Sequence, residues 1–376
     1  MQFTSFSQEQ LTQDVYQALK AWHDIGGTPE NLLESLQLVQ TRRTATHDHL
    51  ALSKNRLITN EILLTGLETL EAHDQIGAQV LQLRFPENNK ILTVAHTLNV
   101  SEHTVSRLQK AALTQLAELI YVQEMALREQ IAQEREGSLP PRTYTTLFGT
   151  NDAQADLKAY LLDARPPWVI ALVGLGGIGK TALADVVTRQ VIREFVFNDV
   201  VWLRIEPQTM NGRFHSPDSV YTTAIAQLAQ QLYPNAAETL TTAQQLVQIR
   251  QILKERPHLI IIDNLEADAA QLLAQLSDLA DPSKFLLTSR VRLTKMAGTF
   301  TYSLDELSYA DAADLIRHQA QETGIPTLAQ AADDDINAIY KLTGGNPLAL
   351  KLVVSLLDVL PLPHVLTALD KGQPGD

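Results

Sequence analysis

One stretch limits this chain more than any other: Gly174-Leu175-Gly176-Gly177-Ile178-Gly179-Lys180-Thr181. Four residues separate the outer glycines, and Lys and Thr follow at once, which is the spacing of a phosphate loop. An apolar run, Trp168–Val173, precedes it, and a helical pattern from Ala182 to Val191 follows. A loop of this kind works only between a buried strand and a helix. The glycines let the backbone wrap a polyphosphate with its N–H groups inward, and the helix N-terminus adds partial positive charge. Lys180 is expected to reach the outer phosphates, and the Thr181 hydroxyl to ligate Mg²⁺. The candidate nucleotide-binding residues here are Gly174, Gly176, Gly177, Ile178, Gly179, Lys180, Thr181 and Ala182.

Two further strand ends carry polar groups. His258-Leu-Ile-Ile-Ile-Asp263 is an apolar strand ending in a carboxylate, about 85 residues beyond the loop. Asp263 is expected to hold Mg²⁺ through water. Phe285-Leu-Leu-Thr288-Ser289-Arg290 is a third strand. Ligands in doubly wound sheets lie at the carboxyl ends of strands, which sets Arg290 where it can feel a terminal phosphate. Asn264 follows Asp263 where many hydrolases have a second carboxylate, and Glu266 is the nearby substitute. The candidate catalytic residues are thus Lys180, Asp263, Glu266 and Arg290. With Asn264 in place a water is harder to deprotonate, so hydrolysis is expected to be slow.

Around these motifs the chain divides by pattern. Residues 1–136 read as entirely helical, with helices near 8–23, 29–42, 57–72, 75–84, 90–98 and 102–135. A linker at 137–146 opens with Gly137-Ser138-Leu139-Pro140-Pro141, which breaks the preceding helix. From 147 to 305 short apolar runs alternate with amphipathic helices, the signature of a parallel sheet covered on both faces. The chain turns helical again over 306–370 and ends in a tail, 371–376. The expected fold is an α/β P-loop NTPase with a second helical subdomain, preceded by an all-α domain. The 376 residues hold no cysteine, and their net charge is −13. Disulfides and thiolate zinc sites are excluded, and a reducing cytoplasm fits. No apolar stretch reaches the roughly 20 residues needed to cross a bilayer, so no membrane partner is expected. His47-Asp48-His49 reads as a solvated loop, Trp22, Trp168 and Trp202 as core, and the glutamine-rich helices, Gln244 and Gln245 included, as solvated faces.

The set of motifs over about 145–370 resembles the STAND class of signalling NTPases, and within it the NB-ARC family. The loop, the Asp263 strand and the Thr288-Ser289-Arg290 strand end belong to that resemblance. So does Gly344-Gly345-Asn346-Pro347-Leu348-Ala349-Leu350, which is similar to the glycine-x-proline-leucine motif of a helical lid. The resemblance implies that 306–370 closes over an adenine nucleotide, ATP or ADP with Mg²⁺, with Pro347 near the base and Arg290 sensing phosphate. Leu147-Phe148-Gly149-Thr150 resembles the short motif that helps hold the base, with Thr150 where arginine is usual. It also implies self-association in the ATP form. The winged-helix subdomain and sensor repeats of the family do not follow, so a piece of a larger receptor is expected.

Residues 75–119 resemble the fourth conserved region of bacterial sigma factors, a helix-turn-helix. Ile91, Val94, Ala95 and Leu98 make the apolar stripe of a first helix, and Asn99-Val100 makes the turn. Ser101 caps the second helix, whose buried side is Val105, Leu108, Ala112 and Leu116. His103, Ser106, Arg107 and Lys110 share its outer face, the candidate DNA-binding face. Residues 1–140 hold 11 basic against 17 acidic side chains, whereas 84–110 hold four against two. A basic footprint is therefore small and local. Two readings stand for this domain: DNA binding, and a helix-turn-helix kept as a protein-interaction module. For the whole chain the reading is a nucleotide-controlled switch. The alternatives are a DNA-dependent ATPase or loader, and a DNA-binding regulator whose nucleotide is purely structural.

Overall fold

The computed structural model describes residues 8–23, 32–45, 52–205, 217–237, 239–265, 276–291, 299–325, 328, 331–357, 360–361 and 364–365. Two compact units divide between Glu134 and Arg135.

The first unit is helical. Its elements are α1 (Gln8–Lys20), a 3₁₀ turn at Leu32–Ser35, α2 (Gln37–Ala45), α3 (Leu52–Glu71), α4 (Gln75–Arg84), α5 (Ile91–Thr97) and α6 (Glu102–Gly137). The expected single helix over 29–42 is instead the 3₁₀ turn followed by α2. The reason lies in α6. Glu124 is fully buried, and its two carboxylate oxygens accept the backbone N–H groups of Gln37 and Leu38 at 2.9 and 3.0 Å. A carboxylate at these first free amides starts a helix at Gln37. Arg128, one turn along, balances its charge at 2.6 Å. One core joins Leu11, Val15 and Leu19 to Leu63, Leu67, Leu81, Leu116 and Ile120. A smaller one, Val80, Val94, Ala95 and Val105, joins α4, α5 and the start of α6. Asn99 takes φ +53° in the connection, and Ser101 Oγ accepts the Thr104 N–H at 3.1 Å.

The second unit opens with the last turn of α6 and continues through α7 (Asn151–Leu162), β1 (Val169–Val173), α8 (Lys180–Ile192) and β2 (Asp199–Arg204). Next come α9 (Pro217–Leu232), α10 (Pro234–Ala237), α11 (Thr242–Glu255), β3 (His258–Leu265), β4 (Lys284–Ser289) and β5 (Thr299–Ser303). The five described strands are all parallel, in the order β2-β3-β4-β1-β5. Parallel strands of this kind are buried on both sides, and every residue of β1 and β4 is buried. Val201, Leu203, Ile260, Ile262 and Phe285 face a core completed by Ala224, Leu228, Ile249 and Leu253 of α9 and α11. Helix α8 packs against β1, β3 and β4. Gln245 corrects the solvated reading of the glutamine-rich helices: it is buried, and its amide donates to the Ala237 carbonyl at 2.7 Å. Gln244 completes the capping box of α11 with Thr241.

At the amino end of β4, Lys284 is only 1% exposed. Its ammonium donates to the carbonyls of Tyr160, Arg165 and Pro167 at 2.6, 3.1 and 3.1 Å and lies over the Trp168 ring. It thereby ties the end of α7 and the approach to β1. The remaining helices, α12 (Tyr309–Glu322), α13 (Asp333–Thr343) and α14 (Pro347–Leu356), close around Leu307, Ile316, Ile336, Ile339, Leu350 and Val354. Gly344 at φ +60° and Gly345 at φ +75° end α13, and Asn346 caps α14.

Candidate nucleotide-binding site

The carboxyl end of β1 runs straight into the loop. Gly177 at φ +77° and Gly179 at φ +104° take left-handed backbone that side chains disfavour. Gly174 has no room for a side chain, since a Cβ there would lie 2.6 Å from the Leu304 carbonyl oxygen. Helix α8 starts at Lys180 with Gly179 as its cap, so its free amides face the loop. Lys180 folds back, and its ammonium donates to the carbonyls of Gly174 and Leu175 at 2.9 and 2.8 Å. Burial lowers its pKa most, the Arg290 cation lowers it further, and Asp263 opposes both.

Asp263 lies near the carboxyl end of β3 and is 3% exposed. Its Oδ1 accepts two hydroxyls, Thr181 Oγ1 and Thr288 Oγ1, each at 2.7 Å. Three elements, the start of α8, β3 and β4, thus meet at one carboxylate oxygen. The Thr288 oxygen also accepts the Asn264 N–H at 2.9 Å. Asn264 takes φ +66° where β3 and β4 shift register, and its amide donates to the Ile205 carbonyl at 3.2 Å. Its side chain therefore holds the end of β2. Glu266 lies outside the described residues.

Arg290 follows β4, is exposed, and makes no hydrogen bond or ion pair among the described residues. A Cβ at Gly176 would lie 3.9 Å from its guanidinium. Two cations, loop amides and a helix N-terminus therefore converge at one place, which fits a polyanion. One hydroxyl and one carboxylate also fit Mg²⁺, which takes few protein ligands and completes its shell with phosphate and water. Among the described residues no cluster of three or more His, Cys, Asp or Glu could hold a metal by itself.

Lys180, Thr181, Asn264, Thr288 and Arg290 line a cleft of about 410 Å³, the size range of small-molecule sites. Phe148, Gly149, Ile178, Ala182 and Pro347 line it too. Phe148 packs edge-on to His318 of α12 at 5.3 Å, and Gly149 at φ +62° sits against Asp311 and Leu307. Thr150 is buried and accepts the Gln154 amide on Oγ1 at 2.9 Å. The sequence reading set Asn346 and Leu348 in the lid motif without a role at the loop, and it missed Lys351. Asn346 donates to the Gly176 carbonyl at 2.9 Å, and Leu348 N–H donates to the Gly177 carbonyl at 3.2 Å. Lys351, one turn beyond Pro347, adds a third lysine or arginine to the cleft lining. Its i+4 spacing from Pro347 was the available signal.

In the helical unit His103, Ser106, Arg107 and Lys110 are all exposed on α6. The Ser106 hydroxyl donates to the Glu102 carbonyl at 3.1 Å, within its own helix. Lys110 also borders a groove with Glu9, Thr12 and Tyr16 of α1. No described helix is long and apolar enough to cross a membrane.

A parallel sheet carrying a glycine loop, a Lys-Thr helix start and a neighbouring strand-end aspartate defines the fold of a nucleotide-binding P-loop NTPase. Residues 151–323 match the NB-ARC domain model. The chain is 30% identical over 191 residues to the regulatory protein AfsR of Streptomyces coelicolor, covering 50% of this chain and 18% of that protein. It is 23% identical over 369 residues to a disease resistance RPP13-like protein of Arabidopsis thaliana, covering 87% of this chain and 33% of that one. Among solved structures, a STAND protein with a tetratricopeptide repeat sensor from Pyrococcus horikoshii aligns with a TM-score of 0.41 and 16% identity. That alignment covers 64% of this chain and 34% of the other. The chain thus spans a third or less of the length of these two curated relatives. Over residues 151–323, less than half of its length, the chain is thus similar to NB-ARC nucleotide-binding domains.

Proposed function

We propose that this protein is an adenine-nucleotide switch. Its site takes ADP or ATP with Mg²⁺ between the sheet and the helical lid. We place the all-helical domain at 1–136 with a helix-turn-helix at about 75–119. The linker is 137–146, the nucleotide-binding domain 147–305, the lid 306–370 and the tail 371–376. The observation that carries the reading is the pair of 2.7 Å bonds from Thr181 and Thr288 to Asp263, beside a loop that also meets the lid.

The residues divide the work. The amides of the loop and the start of α8 bind the phosphate tail. Lys180 and Arg290 balance its charge, and Arg290 reads the terminal phosphate. Thr181 and Asp263 would hold Mg²⁺, which neutralises the phosphates when bound. Pro347 and Phe148 pack around the base. Asn264, turned to the Ile205 carbonyl, offers no carboxylate to deprotonate a water, so turnover is slow. An extra phosphate interacts with only one lid arrangement. Moving a switch from 1:99 to 99:1 takes about 5.5 kcal/mol of differential binding, within reach of a few charge-assisted contacts.

The output is read through the helical domain, by DNA on the face of His103, Ser106, Arg107 and Lys110 or by a protein partner. Self-association accompanies the ATP form, and the site of action is the cytoplasm. The decisive experiment is calorimetry with Mg²⁺, together with identification of any nucleotide released on denaturation. Heat for ADP and ATP, or released ADP, supports the reading. Folded protein that releases no nucleotide and binds neither compound defeats it.

A further inference from the structure

The phosphate loop is held from two sides. Lys180 takes the Gly174 and Leu175 carbonyls from one side, and the lid takes two more from the other. Asn346 Nδ2 donates to Gly176 O at 2.9 Å, and Leu348 N–H donates to Gly177 O at 3.2 Å. Each carbonyl belongs to the same peptide unit as the next residue's amide. Fixing Gly176 C=O therefore fixes the direction of Gly177 N–H, and fixing Gly177 C=O fixes that of Ile178 N–H, which donates to the Leu175 carbonyl at 3.4 Å within the loop. Gly177, at φ +77° and without a side chain, would otherwise be free to turn. The Leu348 side chain closes the space, since a Cβ on Gly177 would lie 2.7 Å from its own Cβ.

Asn346 is suited to this by both ends of its amide. Its Oδ1 accepts Leu348 N–H and Ala349 N–H at 3.1 and 3.2 Å and so caps α14, while its Nδ2 reaches the loop. Turning the amide over would set its oxygen against the Gly176 carbonyl oxygen and its NH₂ against two N–H donors. Only one orientation satisfies all the partners.

We propose that Asn346 is a positioning residue that latches the lid to the phosphate loop, aims the Gly177 amide, and slows the escape of a bound nucleoside diphosphate. This rests on the nucleotide-switch reading and names a means of its control. A carbonyl already engaged also makes its peptide N–H a stronger donor, so seating the lid and gripping the phosphate reinforce each other.

Asn346→Asp tests the latch, because aspartate caps a helix as well as asparagine but has no donor for Gly176. Release of a fluorescent ADP analogue with Mg²⁺ is expected to quicken about tenfold, the loss of roughly one hydrogen bond. Melting of the nucleotide-free protein should stay close to wild type. Asn346→Ala, which loses the cap as well, should release as fast and melt lower. If capping were the whole role, Asn346→Asp would release ADP at the wild-type rate. Amide hydrogen exchange over 174–180 in nucleotide-free protein provides a readout independent of binding, and Asn346→Asp should raise it. Wild-type protein that binds no adenine nucleotide would defeat the switch reading while exchange still decided the latch. Wild-type exchange in Asn346→Asp, or wild-type release where ADP binds, overturns the proposal.

Discussion

Lys284 offers a test of the packing beneath the site. The residue is 1% exposed, and its ammonium meets three carbonyl oxygens and an aromatic face, with no carboxylate partner at hydrogen-bonding distance among the described residues. Burial lowers its pKa from 10.5 to about 8, opposed in part by Asp163. A lysine whose folded pKa is depressed binds its proton less tightly in the folded chain than in the unfolded one. Below pH 8 both states are charged, and the folded state bears the full penalty. Between about pH 8 and 10.5 the unfolded chain still holds the proton, so stability rises with pH; above that range the penalty is gone. A 2.5-unit displacement at about 1.36 kcal/mol per unit gives about 3 kcal/mol. Lys284→Met removes the titration and keeps most of the stem. Urea denaturation of both proteins from pH 7.5 to 10.5 should show the difference between them moving about 3 kcal/mol toward wild type across that range. Tyrosines and other lysines titrate equally in both and cancel. Parallel stability curves would refute the reasoning, because the ammonium would then be as well solvated by its three carbonyls as by water.

Other expectations follow from single contacts. Lys180→Ala should leave the melting of nucleotide-free protein nearly unchanged but cut ADP affinity at least tenfold, read by calorimetry; equal affinity would remove Lys180 from the phosphate site. Glu124→Ala orphans two amides at the start of α2 and should cost the helical unit about 3 kcal/mol, seen by denaturation and by faster exchange over 37–45. Paired Arg107→Ala and Lys110→Ala changes should weaken binding to duplex DNA and flatten its salt dependence by about two in log–log slope, measured by fluorescence anisotropy. If neither protein binds DNA at low salt, the helical unit is read by a protein instead.

The parallel sheet was legible because β1 to β4 are apolar runs ended by a turn or a polar group, and β1, β3 and β4 extend within two or three residues of the runs in the sequence. The loop was legible for a stricter reason: its glycines at 177 and 179 sit at φ values that side chains resist, so the residue type reports the backbone directly. The start of α2 was not legible. Its capping carboxylate comes from Glu124, 87 residues away from Gln37, and no local pattern encodes a partner at that distance. Gln245 escaped for a related reason, since a glutamine on a helix reads as solvated until the carbonyl that buries it is known.

Asn264 shows where local reading reaches its limit inside the site. From sequence it marks only a missing carboxylate. In the structure the residue turns left-handed at φ +66°, gives its N–H to Thr288, and gives its side chain to the end of β2. A hydroxyl that accepts this N–H is left with its proton for Asp263, and that is where Thr288 donates it. The position thus orients Thr288, which in turn helps fix the carboxylate expected to hold the metal. An aspartate at 264 could keep the backbone bond to Thr288 but could not donate to the Ile205 carbonyl. It would bring a second negative charge beside Asp263, favourable for activating water and unfavourable for holding β2. The asparagine therefore fits the slow turnover proposed for this site, and the substitution that would raise hydrolysis is the one that would loosen the strand beside it.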